Sequence, residues 1–145
     1  MINLQYAPSS KAVSLVTLAA LCEQVIALNG SFAAEGELYV DDGKTYDFEQ
    51  GAYIHRRFIF ADRKLTSTDV RSANFGGKFS SDRVIERIIL LRLPSGAKKA
   101  VIEPGNREAD VELGPLTLRG GSSLVAVTVR KPNVRIADDW TLRIP

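Results

Sequence analysis

Residues 36–49 read Gly-Glu-Leu-Tyr-Val-Asp-Asp-Gly-Lys-Thr-Tyr-Asp-Phe-Glu, and the fold is predicted from this stretch. Asp-Asp-Gly at 41–43 suits a three-residue hairpin loop closed by a glycine in the left-handed conformation. That loop length fixes the register, so that Leu38 faces Tyr46. One face of the hairpin then collects four apolar side chains: Leu38, Val40, Tyr46 and Phe48. Turn chemistry and hydrophobic pattern agree, which predicts an antiparallel pair of strands here.

Short runs of strand-forming residues, separated by turn signals, continue after this stretch. The predicted strands cover residues 52–60, 65–69, 84–93, 99–102, 109–113, 123–130 and 140–144. Residues 88–91 are apolar on both faces, as in a strand covered on both sides. Val125, Val127 and Val129 are predicted to point inward, and Arg56, which interrupts an apolar face, is placed near the sheet edge. Strands at this spacing predict an all-β fold, an antiparallel β-sandwich, with room for a short helix near the N-terminus.

The composition suits one globular domain. Of the 145 residues, 45% are hydrophobic and 25% are charged, which is ordinary for such a domain. The net charge of +2 is too balanced, and the basic residues too scattered, to favour nucleic acid or an anionic membrane as a partner. The single cysteine, Cys22, excludes a disulfide within the chain.

The first 24 residues differ in composition from the rest. Residues 12–22 form an apolar stretch that is too short to span a bilayer. This stretch has the length of a signal-peptide core, but a short buried helix or strand is the favoured interpretation. We therefore divide the chain into an atypical apolar N-terminal segment, residues 1–24, and a β-sandwich domain, residues 25–145. Asn29 begins an Asn-Gly-Ser sequon and is a candidate glycosylation acceptor if the chain reaches a secretory lumen.

Residue types that carry catalysis or metal binding are sparse. His55 is the only histidine and no nucleophile motif surrounds Cys22, so we assign no catalytic residue. One cysteine and one histidine are too few ligands for zinc. The acidic residues of the predicted hairpin are a weak calcium candidate, because the turn and basic neighbours explain them as well: Glu37, which is placed opposite Asp47, with Asp41 and Asp42. No residue is assigned to a cofactor or a metal.

Two further patterns bear on ligand binding. Gly76-Gly77-Lys78 lacks the rest of a Walker motif, so it does not predict a phosphate loop. Tyr39, Tyr53 and Trp140 are candidates for stacking on sugar rings, although packing in a core or on a sheet is the commoner use of such residues. A carbohydrate-binding module requires Tyr53 or Trp140 on the surface. A protein-interaction module is favoured by a large exposed apolar patch.

Four stretches, in this order, resemble the C-terminal end of the glucosidase II α-subunit in its plant form, a family 31 glycoside hydrolase: residues 36–48, 53–58, 85–89 and 129–142. The resemblance covers roughly residues 25–145. It implies the β-sandwich that follows a (β/α)8 barrel in retaining α-glucosidases, which trim glucose from N-linked glycans in the endoplasmic reticulum. The nucleophile of the family is an aspartate in a Trp-x-Asp-Met-type motif. This chain lacks that motif, so no catalytic residue carries over.

The resemblance implies a non-catalytic sandwich whose partners are the catalytic barrel in the same polypeptide and a β-subunit. Weak glycan contact is compatible with it; nucleic acid and a membrane span are not expected. Where the family commonly has Lys-Pro-Gly, this chain has Lys131-Pro132-Asn133, and asparagine also tolerates turn conformations. Residues 1–24 do not resemble what leads into the sandwich, which predicts a truncated or alternatively spliced product with an open sheet edge. The alternative is a stand-alone carbohydrate-binding or protein-interaction module.

Overall fold

The computed structural model describes residues 2–3, 15–18, 23–41, 44–70, 81–117, 120–121 and 123–145. Within these ranges the chain forms eleven strands: β1 (Ile2–Asn3), β2 (Leu15–Leu18), β3 (Glu23–Ala27), β4 (Ala34–Val40), β5 (Ile54–Ala61), β6 (Lys64–Asp69), β7 (Val84–Leu91), β8 (Lys99–Glu103), β9 (Arg107–Thr117), β10 (Ser123–Arg135) and β11 (Trp140–Arg143). A short 3-10 helix, Asp47–Gln50, lies between β4 and β5. The predicted all-β class is confirmed.

All eleven strands belong to one sheet, which curls into a barrel-like sandwich in the order β1-β4-β5-β6-β11-β8-β9-β10-β7-β3-β2. Neighbours pair antiparallel except β3 and β7, which run parallel with Val25 beside Ile89. The predicted antiparallel β-sandwich is thus confirmed, with this one parallel pair in its sheet. Three strands separate β3 from β7 in the chain, and a connection of that length allows the two strands to run in the same direction.

The N-terminal stretch contributes a strand at the residues described. Leu15–Leu18 pair antiparallel with β3, so that Val16 lies beside Val25. Of the two interpretations that the sequence favoured for this stretch, a helix or a strand, the described residues Leu15–Leu18 form the strand, which the β-branched residues of Leu-Val-Thr-Leu suit. The sheet edge that was expected to be open is the outer edge of β3, and β2 covers it. Cys22 lies outside the described residues. The division of the chain at residue 25 stays a prediction.

The hairpin predicted over residues 36–49 does not form. β4 pairs instead with β5, across a connection that holds the 3-10 helix. Leu38 and Val40 are buried as expected, but Tyr46 is 77% exposed, and part of the predicted turn lies outside the described residues. β5 offers larger core side chains than residues 44–49 do, and their burial outweighs the local turn signal: Ile54, Phe58 and Phe60.

The hydrophobic core lies between the curled faces of the sheet. Ile88, Ile89 and Leu90 are all buried, which confirms that both faces of β7 are covered. Val127 and Val129 point inward as predicted, whereas Val125 is 61% exposed, because β9 and β10 extend past their neighbours. Across the described ranges, no helix has the length and apolar character needed to cross a membrane.

Candidate binding surface

The outer face of β4 and β5 gathers aromatic and charged side chains. The rings of Tyr39 and Tyr53 stack with their centroids 5.1 Å apart, and His55 meets Tyr39 edge-on at 6.1 Å. His55 Nε2 lies 2.8 Å from Oε2 of Glu37. Because strand residues alternate between faces, these β4 and β5 side chains lie opposite the buried Leu38. We call this group the aromatic patch: Glu37, Tyr39, Asp41, Tyr53 and His55.

The Tyr39 hydroxyl keeps its proton more firmly than an exposed phenol does. Burial is the largest cause that raises the pKa of Tyr39, and the negative charge of Asp41 raises it further. Tyr53 and a hydrogen bond to Asp41 act in the same direction. The aromatic patch therefore combines ring faces, a neutral hydroxyl and carboxylates, which are the groups that recognise hydroxylated ligands.

The acidic residues do not form the group that the hairpin predicted. In the observed register Glu37 lies beside Arg57 and not opposite Asp47, which lies in the 3-10 helix. That pairing is wrong because β4 has β5 as its partner. In the part of the chain that the structure describes, no set of three or more His, Cys, Asp or Glu side chains could hold a metal ion. Asp42 and the Gly76-Gly77-Lys78 stretch lie outside that part.

Arg56 is fully buried, and its placement near the sheet edge is therefore wrong. Its Nε and Nη2 donate to Ser67 Oγ at 3.2 and 3.1 Å. Nη1 donates to the carbonyl oxygen of Ala137 at 3.3 Å, and Nη2 donates to that of Asp138 at 2.7 Å. Nη2 also lies 2.6 Å from Oδ1 of Asp139. The arginine thus ties β5 and β6 to the turn before β11, and so joins two of the four stretches singled out in the sequence, residues 53–58 and 129–142.

Trp140 lies in the core, so it is not available to stack on a sugar. Its side chain is 4% exposed, and its ring packs against Phe58 with centroids 6.0 Å apart. The two tyrosines of the aromatic patch remain as the aromatic candidates. Sequence alternation along β4 could have placed Tyr39 outward. The partnership with Tyr53 depends on the β4–β5 register, which the local turn signal predicted wrongly.

Asn29 lies in the turn between β3 and β4. Its Oδ1 accepts hydrogen bonds from the backbone N–H groups of Ser31 and Ala33, at 2.9 and 3.0 Å. Gly30 and Ser31 are exposed, so this sequon is on the surface. Glycosylation of Asn29 stays a prediction.

Several carboxylates on the strands are paired with cations of neighbouring strands. Lys99 Nζ lies 2.6 Å from Oδ1 of Asp110, and their hydrogen bond raises the pKa of Lys99 and lowers that of Asp110. Both groups are exposed, so the pair adds little to stability. Four further pairs cross between strands in the same way: Glu23–Arg87, Glu35–Arg57, Glu103–Arg143 and Glu112–Arg130.

The sequence was compared with known proteins. No family model matches it. It is 69% identical over 121 residues to a probable glucan 1,3-alpha-glucosidase of Oryza sativa subsp. japonica, and 49% identical over 123 residues to one of Arabidopsis thaliana. Each match covers 83% of this chain and 13% of the relative, so the chain spans about an eighth of the length of these relatives.

Solved structures give the same result. A glucosidase II alpha subunit with bound Glc1Man2 superposes with a TM-score of 0.71 at 33% identity, over 85% of this chain and 14% of that one. A heterodimeric ER glucosidase II complex, formed by the catalytic subunit and the binding domain of the regulatory subunit, superposes with a TM-score of 0.66 at 31% identity. This match also covers 85% of this chain and 14% of that one.

Proposed function

Since the chain is homologous to the C-terminal region of the family 31 α-glucosidases, we propose that it is a non-catalytic β-sandwich that supports the catalytic barrel of such an enzyme. The observation that carries the proposal is the extent of the match. The matched segment, which is 83% of a chain with one hydrophobic core, corresponds to about an eighth of each glucosidase. A separately cored unit within a much longer enzyme is typical of an accessory domain.

The ion pairs formed by the carboxylates support the same function. Glycoside hydrolysis uses two carboxyl groups that flank the scissile bond, one of them as an acid and the other as a base or nucleophile. The strand carboxylates described above are instead engaged with arginine, lysine or histidine on adjacent strands. Opposite-charge pairs across neighbouring strands are a common use of exposed carboxylates on a sheet.

The partners and the location follow from the same homology. We infer that the sandwich works next to the barrel of a glucosidase that trims glucose from N-linked glycans, together with a regulatory β-subunit, in the lumen of the endoplasmic reticulum. The support is the likeness to a structure of an ER glucosidase II heterodimeric complex. Asn29, whose sequon is exposed, would be open to glycosylation in that compartment.

The purified chain is expected to give no hydrolysis of p-nitrophenyl α-glucoside above the buffer blank. A chimera of the rice relative, in which this chain replaces the matching 121-residue segment, is expected to be active. The two proteins are assayed at equal molar concentration, and the buried Trp140 reports by its emission that the isolated chain is folded. Turnover by the isolated chain would refute a non-catalytic role, and an inactive chimera would refute the supporting role.

The aromatic patch favours a second function, which is weak contact with a glycan. Tyr39 and Tyr53 lie together on the outer face, next to the paired side chains of Glu37 and His55. A half-exposed aromatic pair bordered by polar groups is suited to the apolar face and the hydroxyls of a sugar.

The trisaccharide Glc1Man2 is expected to shift the NMR signals of the aromatic patch, with a dissociation constant of about 1 mM. Tyr53→Ala should weaken binding by about tenfold, because one stacking ring is lost. Tyr46→Ala is the matched control, since Tyr46 is exposed and lies outside the aromatic patch. Equal binding by wild type and both variants would place the contact elsewhere, and no binding at all would exclude this second function.

A further inference from the structure

β9 and β10 extend beyond the strands that flank them. β8 pairs with β9 only as far as Lys99 beside Asp110, and β7 pairs with β10 only as far as Leu91 beside Ala126. β9 and β10 continue to pair with each other up to Thr117 beside Ser123. The last part of these strands is thus a two-stranded ribbon that projects past its neighbours in the described sheet.

The inward face of this ribbon stays apolar beyond the last residues that are buried in the core. In the first facing pair, Val111 and Val129 are both buried. In the next pair Val127 is 1% exposed but Leu113 is 57% exposed. In the third pair Pro115 is exposed and Val125 is 61% exposed. The row of core residues therefore continues, in register, onto an open surface.

Phe32 lies at the same end of the sheet. It is in the turn after β3, whose last residue pairs with the last residue of β7, and its side chain is 47% exposed. We call these four side chains the apolar rim: Phe32, Leu113, Pro115 and Val125. On the opposite face, Glu112 and Arg130 form an ion pair at the base of the ribbon, and Gly114 and Ala126 follow it. Single exposed apolar residues are common, but a row that continues a core marks a contact surface.

We propose that the apolar rim docks on an apolar surface of the preceding part of the glucosidase polypeptide. This inference rests on the supporting role proposed above, and it names the surface that performs it. The matched segment is only 13% of the relatives, so most of their polypeptide lies outside it. The rim carries no charge, which favours an apolar partner surface. Pro115 removes a backbone donor from the ribbon, which disfavours strand pairing with a second copy.

Hydrogen exchange measured by mass spectrometry tests the contact directly. The isolated chain is compared with the rice chimera in which it replaces the matching segment. Amides of peptides that contain residues 113–117 are expected to exchange about tenfold more slowly in the chimera, because the docked rim is shielded from local opening. Peptides from β5, which lies distant from the ribbon in strand order, should exchange alike in both proteins.

Charge substitutions provide the second measurement. Leu113→Lys and Val125→Lys should lower the thermal midpoint of the chimera by several degrees but leave that of the isolated chain nearly unchanged, since both residues are exposed there. Val70→Lys is the matched control, because Val70 is 42% exposed and lies after β6, at the other end of the sheet. It should have the same small effect in both proteins.

The possible results separate the two proposals. An active chimera with a protected, substitution-sensitive rim supports both of them. An active chimera whose rim exchanges as in the isolated chain overturns the docking surface and leaves the supporting role in place. Rim protection that rises with the concentration of the isolated chain overturns the proposal in favour of a second copy as the occupant. An inactive chimera overturns the supporting role, and with it this inference.

Discussion

Arg56→Ala is expected to destabilise the chain by about 3–5 kcal/mol, one of the two largest single-residue effects that we predict. The side chain is 1% exposed, and its guanidinium satisfies Ser67 and the carbonyl oxygens of Ala137 and Asp138. Removing it leaves those buried or half-buried acceptors without their donors and opens a cavity the size of a large side chain. Urea unfolding followed by the emission of Trp140, the only tryptophan, measures the loss.

The ion pair to Asp139 is not the main source of this effect. Asp139 has a side chain that is 69% exposed, so water screens its charge. Asp139→Asn should therefore cost far less than Arg56→Ala, because an amide oxygen can still accept from Nη2 and from the backbone N–H of Asp69. A loss for Asp139→Asn as large as that for Arg56→Ala would mean that the charge, and not the hydrogen bonds, holds the turn.

Arg57→Ala is the matched control for Arg56. Arg57 is the next residue of β5, points to the opposite face and pairs with the exposed Glu35. Its removal should cost less than about 1 kcal/mol, as for other exposed ion pairs. Circular dichroism of the same samples checks that Trp140 reports on the whole domain, because coincident transitions indicate two-state unfolding. If the two arginine variants were equally stable, the hydrogen bonds that Arg56 donates to the turn before β11 would not exist in solution.

The sequence predicted the strands well and their partners less well. The strands from β5 to β11 follow from alternation and turn residues, which act over a few positions. The β4–β5 pairing could not be predicted from local signals. It depends on whether a favourable hairpin turn at 41–43 stabilises the chain less than the burial of the larger core side chains of β5. The same limit explains Arg56: nothing near residue 56 reveals that the carbonyl oxygens more than eighty residues later would satisfy a buried guanidinium.

For the candidate surfaces too, the sequence predicted which residues could take part but not which residues lie next to each other. Tyr39 and Tyr53 were named from residue type alone, and only the observed register brings their rings together. Trp140 was named with them, but the strand that carries it lies between β6 and β8, which places its ring in the core. Val125 was predicted to point inward, and it does share the inward face of Val127. Among the strands that the structure describes, none lies over that end of the ribbon, which explains its exposure and which sequence periodicity cannot predict.

Phe58→Ala is expected to cost about 3–5 kcal/mol, as for other buried phenylalanines. Phe58 is 1% exposed and its ring packs against that of Trp140. For a domain of this length, such a loss lowers the thermal midpoint by about 10 °C or more. The cavity lies beside the indole, so the emission of Trp140 should also shift to longer wavelength in the folded variant as water approaches the ring.

Ile59→Ala completes this test, because the residue pair reports the register of β5 as well as the packing. Ile59 is 41% exposed and lies on the outer face, so its truncation should cost no more than about 1 kcal/mol. A slip of β5 by one residue would move every side chain of the strand to the other face. In that case the results for Phe58 and Ile59 would be exchanged, and so would those for Arg56 and Arg57. If both pairs of variants give the predicted results, the face of β5 that carries the aromatic patch is established, since His55 shares its face with Arg57 and Ile59.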